Sequence, residues 1–197
     1  MSELRSATPT RDRLLAAAAA TIEEGGYAAA SVAAVAERAG VSAGALYRHF
    51  PSKAELFVEV FRTHAQRELA AMHAAGDETT RFSARLAAVV ETYASGALAN
   101  RRLAWALVYE PVDPFVDAER LIHRRLYRDQ MTELLRLGMD AGEIPAHDDP
   151  ELLAAVVVGG IAEALAGPLS PVAAEADAQH VVSTIVTLAL RTVGAPA

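Results

Sequence analysis

Four helix signals crowd into the stretch from Ser31 to Ser52, and they leave little freedom in how it folds. Ser31 caps a short helix over Val32–Ala39, and Gly40 ends it. Ser42 caps a second over Ala43–His49, which Pro51-Ser52 breaks. Ser52 with Glu55 three residues on reads as a capping box for a longer helix from Lys53 to about Ala74. Only Gly40-Val41-Ser42 joins the two short helices. Ala36 is small where they must cross, Gly40 permits the positive φ of a sharp turn, and Val35, Ala39, Val41, Leu46 and Phe50 supply a small core. This is the residue chemistry of a helix-turn-helix.

The same punctuation continues in both directions. Thr10 caps a helix that Gly25-Gly26 stops. Beyond Ala74, "GDETT" is a loop, followed by helices over Thr80–Ala99, Arg101–Glu110 and Val116–Ala141, the last with an expected apolar stripe of Ile122, Leu126, Tyr127, Met131, Leu134 and Leu135. Two more run from Pro150 to Gly167-Pro168 and from Val172 or Ala173 to Val193. No strand and no repeat emerges, so the expected fold is all-α with about nine helices. The expected division is a helix-turn-helix domain at residues 1–56 and a helical domain at 57–197.

Charge and composition narrow the function. The formal charge is −7, against a generally basic DNA-coating protein. Met1–Leu56 holds six basic and six acidic residues, so the whole excess lies beyond it. There is no cysteine, which excludes disulfides, thiolate chemistry and Cys-based metal sites and fits a reducing, cytoplasmic setting. The longest apolar run, Leu152–Ala162, is too short to span a bilayer, and no membrane role is expected. The basic-then-apolar start at "RDRLLAAAAATI" reads as a helix, not a leader, because Leu14, Leu15, Ala18 and Ile22 recur at helical spacing. No catalytic signature stands out, and neither an enzyme nor a cofactor is expected. Glu119/His123 and Asp177/His180 have ligand spacing, but each is a lone pair best read as a solvated face, so no metal is expected.

The segment "ERAGVSAGALYRHFPSKAEL" resembles the N-terminal domain of the tetracycline-repressor (TetR) family of bacterial regulators. The resemblance runs from Thr10 to about Phe57. It implies a DNA-binding repressor with an operator as one partner, a small-molecule effector as another, and a homodimer. The helix at Ala43–His49 would enter the major groove. Ser42 caps it, and Ala43, Gly44 and Ala45 keep its face thin. Tyr47 and His49 would reach phosphates, as would Ser31 and Lys53 at their helix starts. Arg48 is the long donor fork suited to a guanine edge. Ala43 and Ala45 stand where many relatives carry a basic or hydroxyl residue. Reading would then rest on Arg48, on thymine methyls and on DNA shape.

Two further sets follow in the remainder. Phe61, Tyr93, Trp105, Tyr109, His123, Tyr127 and Met131 could line an apolar effector pocket, with Glu110 and Arg102 supplying charge. Plain core packing is the alternative for the same residues. Small residues at Ala155, Gly159, Ala162 and Ala166, with Val182, Ile185, Val186 and Ala189 on the last helix, suit two helices covered on more than one face. In the family, two such helices from each subunit form the dimer interface. A helical small-molecule-binding protein or enzyme whose N-terminal motif does not touch DNA remains the competing reading.

Overall fold

The computed structural model describes residues 9–77, 81–110, 112–146, 149–172 and 177–195. Among these, every regular element is a helix: α1 Thr10–Ala29, α2 Val32–Arg38, α3 Ala43–His49, α4 Lys53–Asp77, α5 Phe82–Ala99, α6 Arg101–Val108, α7 Pro114–Asp140, α8 Pro150–Leu169 and α9 Ala178–Thr192.

The helix-turn-helix forms as its signals dictate. Ser31 Oγ accepts the Ala34 N–H and Ser42 Oγ accepts the Ala45 N–H, each at 3.2 Å. Gly40 takes φ +66°. Its N–H reaches Glu37 O at 3.0 Å and that of Val41 reaches Ala36 O at 2.9 Å, which closes α2 in a Schellman turn. Val35, Leu46 and Phe50 are buried beneath, together with Leu14, Ile22 and Phe57. Ser52 Oγ accepts the Glu55 N–H at 3.1 Å and starts α4.

Boundaries differ from expectation where a cap was misplaced. Pro9, not Thr10, precedes the first turn of α1. Gly25-Gly26 does not end α1 but breaks it: Gly26 has φ 78° and ψ −176°, and one more turn follows. α4 runs through Gly76 to Asp77, so the expected loop is partly helix; its remainder, Glu78–Thr80, lies outside the described residues, as does the expected start of α5. α7 begins two residues early because Asp113 caps it, accepting the Phe115 N–H at 2.9 Å, and Pro114 opens the first turn. α8 continues through Pro168 to Leu169. Asp177 caps α9 by accepting the Gln179 and His180 N–H groups. That helix was expected to start at Val172 or Ala173; Val172 is in a turn, and residues 173–176 lie outside the described residues.

Two apolar clusters fill the interior. One joins α1–α3 and the start of α4, and also draws in Leu103, Ala106, Leu107 and Val116 from α6 and α7. The other is built on α5, with α4, α7, α8 and α9 around it. α4 belongs to both: Leu56, Phe57 and Phe61 pack in the first and Met72 in the second. The apolar stripe expected on α7 divides. Met131, Leu134 and Leu135 point inward, whereas Ile122 and Leu126 are 55% and 43% exposed.

Candidate DNA-reading helix and effector cavity

α3 is the exposed edge of the helix-turn-helix. Its buried anchor is Leu46, with Phe50 just past its end. Ser42, Ala43, Gly44, Tyr47, Arg48 and His49 are all exposed. Small side chains at the start leave the α3 backbone open, and the long ones gather in its last turn.

The cations of residues 9–56 fall into two kinds. Arg11 pairs with Glu59 and lies 5.3 Å from the Phe50 ring centre. Arg13 donates to Ala39 O. Arg38 forks onto Glu24 at 2.5 and 2.7 Å, a hydrogen-bonded pair that holds the Glu24 carboxyl below its ordinary range. The Lys53 ammonium lies 4.1 Å over the Tyr27 ring and 3.4 Å from Ala28 O; burial pushes its pKa down, with Glu110 pulling the other way. Arg48 alone among the described cations of this stretch makes no hydrogen bond or ion pair with another described residue. Ser31, also exposed, spends its hydroxyl oxygen on the α2 cap.

Behind this head lies an apolar cavity that opens to solvent. α4 contributes Phe61 and Met72, α5 Val89, Val90 and Tyr93, α7 His123, Tyr127 and Met131, and α8 Val158, Ile161 and Ala162. A second, smaller cleft shares Phe61, Tyr93, Leu107, Val108 and Tyr127 with it and adds His64, Glu68 and Tyr109. Tyr93 and Tyr127 meet edge-on at 5.6 Å between the two spaces. Tyr127 Oη donates to Glu68 Oε2 at 2.6 Å, and burial, with Glu68 adding to it, holds that phenol neutral. Tyr109 Oη donates to Ala162 O.

Six of the seven expected pocket residues thus meet one of the two spaces. Trp105 lines neither. Its ring lies tilted at 5.1 Å from that of Tyr109 and packs against the α5 cluster. Glu110 and Arg102 also serve elsewhere. Glu110 Oε2 accepts the Tyr27 N–H at 2.9 Å, and Arg102 donates to Gly25 O at 3.2 Å, so both hold the break in α1. The expected solvated pair Glu119/His123 is buried instead. Glu119 takes Arg62 in a fork at 2.7 and 2.8 Å, a bond that holds its carboxyl below the ordinary range. His123 Nδ1 lies 3.1 Å from Glu119 O, and its ring stands edge-on to Phe61 at 4.7 Å.

Arg120 and Arg124 line the cavity and were not anticipated. Their signal was present: with Tyr127 and Met131 they follow one face of α7 at four- and three-residue spacing. Arg120 donates to Leu107 O, Ala106 O and Glu110 O at 2.6, 2.9 and 2.9 Å, tying the end of α6 to α7.

α8 and α9 leave an apolar face open. Leu152, Val156 and Leu188 are 67%, 60% and 51% exposed. Gly159 is exposed, and Ala155, Ala162, Ala166, Val182 and Val186 are half-buried. Ile185 and Ala189, expected on this face, are buried in the chain's own core, because that side of α9 packs on α5. α8 as a whole is long and apolar enough, by length and composition alone, to cross a bilayer, and 28% of its most apolar 18-residue stretch is buried within the chain.

Residues 14–60 match the family model described as bacterial regulatory proteins, tetR family. The HTH-type transcriptional activator FasR of Mycolicibacterium smegmatis is 40% identical over 83 residues, which are 42% of this chain and 38% of that protein. The chain therefore spans less than two-fifths of the length of the first curated relatives it matches. The crystal structure of FadR from Bacillus subtilis in complex with stearoyl-CoA superposes with a TM-score of 0.80 at 20% identity, covering 92% of this chain and 98% of that one. A bacterial regulatory protein in the tetR family from Rhodococcus RHA1 superposes with a TM-score of 0.75 at 26% identity, covering 96% and 100%. Helix-turn-helix geometry and matched sequence agree: residues 14–60 form a DNA-binding domain of the kind found in the tetR family of bacterial regulatory proteins.

Proposed function

We propose that this protein is a cytoplasmic transcriptional repressor that binds a pseudo-palindromic operator as a homodimer and leaves it when a long-chain acyl ligand fills the cavity. The observation that carries the DNA half is the exposed end of α3, where Arg48 stands unengaged between Tyr47 and His49. A guanidinium held free on a thin-faced helix is suited to a guanine edge, and in this reading Tyr47, His49, Ser31 and Lys53 are the phosphate contacts. Residues 1–56 act as the head and 57–197 as the sensing and dimerising body.

The ligand class rests on the apolar walls of the cavity and on likeness to FadR, whose structure holds stearoyl-CoA. Two open helix faces, on α8 and α9, supply the dimer contact: a second copy covers Leu152, Val156, Gly159 and Leu188. A two-fold dimer presents both α3 helices to one side of the duplex.

Release follows from what the cavity touches. Arg120 ties the cavity wall to the end of α6, and Glu110 there holds the α1 break. Tyr27 at that break packs edge-on against Phe57 at 4.6 Å and under Lys53, at the start of α4. A ligand that prefers one position of α4, α6 and α7 changes the spacing of the two heads by its differential affinity. The test is retardation of DNA from upstream of the protein's own coding sequence, at stated salt, with and without palmitoyl-CoA. A retarded band that palmitoyl-CoA removes supports the reading. No retardation beyond that of random DNA overturns it.

A further inference from the structure

The charges around the two spaces are not evenly spread. The larger cavity is lined by Arg120, His123 and Arg124, all on α7, and by no carboxylate. The second cleft carries its carboxylate, Glu68, with His64 3.3 Å from it. Across the Tyr93–Tyr127 contact the lining therefore changes from cationic to anionic. A ligand with one charged end and one apolar end can lie in such a space in only one sense.

The two guanidiniums of the cavity differ in what they have left to give. Arg120 is spent on three carbonyls and on Asp117 at 2.8 Å. Arg124, one turn on, makes no hydrogen bond or ion pair with a described residue. It is exposed yet lines the cavity, which puts it at the mouth. It also acts electrostatically on the inward phenols. Burial pushes Tyr93 and Tyr109 up, and Arg124 opposes that rise at both. The Arg125 beside it lies on another face and pairs with Asp129 at 3.8 Å.

Resting on the acyl-ligand reading above, we propose that Arg124 is the anion-recognising residue of this cavity. It receives the charged head of a long-chain acyl ligand while the chain lies against Phe61, Val90, Met131 and Ile161. The shared chemistry is an oxyanion on a long apolar chain, and a guanidinium fork serves a phosphate of an acyl-coenzyme thioester or the carboxylate of the free acid.

The experiment is calorimetric titration of the full-length protein with palmitoyl-CoA, palmitate and uncharged palmitamide, for the wild type, Arg124→Gln and Arg125→Gln. Wild type is expected to bind at least one anionic probe more tightly than palmitamide. Arg124→Gln weakens that probe about tenfold or more, the worth of a charged hydrogen bond, and leaves palmitamide unchanged. Arg125→Gln leaves all three near wild type. Loss confined to palmitoyl-CoA assigns Arg124 to a phosphate; loss for palmitate as well assigns it to the oxyanion in general. Tight binding of an anionic probe that Arg124→Gln does not alter overturns the assignment while leaving the acyl reading intact. Equal wild-type affinity for palmitamide and both anions overturns it too. Binding of none of the three sinks the acyl reading and this assignment with it.

Discussion

The Glu110 carboxylate accepts the Tyr27 N–H at 2.9 Å, joining the end of α6 to the break in α1 across 83 residues of sequence. That N–H follows Gly26, whose φ of 78° takes the chain out of the helix and leaves the amide without an intrahelical partner. The bond satisfies a half-buried donor and ties the head to the body. Glu110→Ala should cost about 1–3 kcal/mol of stability, the cost of orphaning such a donor. Gly26→Ala should cost a similar amount, about 1–3 kcal/mol, through backbone strain, because its Cβ would also meet Glu110 Oε1 at 2.7 Å. Urea unfolding measures both. The decisive readout is DNA release: in Glu110→Ala, saturating palmitoyl-CoA should displace less operator than in the wild type.

Arg48→Ala should weaken specific DNA binding by about 1–3 kcal/mol and relax preference at one base pair per half-site. Lys53→Met should weaken all sequences alike and flatten the salt dependence. Fluorescence anisotropy on operator and random duplexes separates the two. An equal loss on both duplexes for Arg48→Ala would count against base reading.

Acid should weaken the contact between α4 and α7. Arg62, through its fork on Glu119, holds that carboxyl below its unfolded value. A group whose folded pKa is depressed stabilises the fold fully above its unfolded pKa, here about 4.5, and loses that contribution as pH falls through the folded value. The Glu119 side chain is 8% exposed and that of Arg62 44%, so the contribution lies between the buried and the exposed limits, at about 2 kcal/mol. Melting temperature should therefore fall more steeply below about pH 4.5 in the wild type than in Glu119→Gln. Parallel curves would contradict this.

Val156 sits 60% exposed on α8, one turn from Gly159, on the face assigned to a second copy. Val156→Glu should convert a dimeric mass to a monomeric one in sedimentation at micromolar concentration, and weaken operator binding with it. An unchanged dimer would remove this face from the interface.

The head was legible in the sequence because its signals are local. Ser31, Gly40, Ser42 and Ser52 fix backbone geometry within a few residues, and each acts as its residue type dictates. The body was legible in its helices but less so in its faces. Periodicity shows that α7 has an apolar side but not where a neighbour ends, so Ile122 and Leu126 were placed with Tyr127 when they face outward. It cannot say how far along α6 a cavity reaches, and Trp105 was placed there by aromatic character. Glu110 and Arg102 lay beyond sequence reasoning for another reason: their partners are backbone groups at Gly25 and Tyr27, freed by a break only tertiary structure discloses. Arg120 and Arg124 were legible in principle, since they share a helical face with Tyr127, but a charged residue there reads first as solvated.

The central claim is that one acyl ligand and one operator compete through the same two states. A tenfold loss of operator affinity requires about 1.4 kcal/mol of coupling, and linkage makes it reciprocal. The most direct measurement is the palmitoyl-CoA affinity of the full-length protein by calorimetry, without and with saturating operator duplex. The account predicts that operator weakens palmitoyl-CoA binding by the same factor by which palmitoyl-CoA weakens operator binding. Equal palmitoyl-CoA affinities in the two titrations would contradict it.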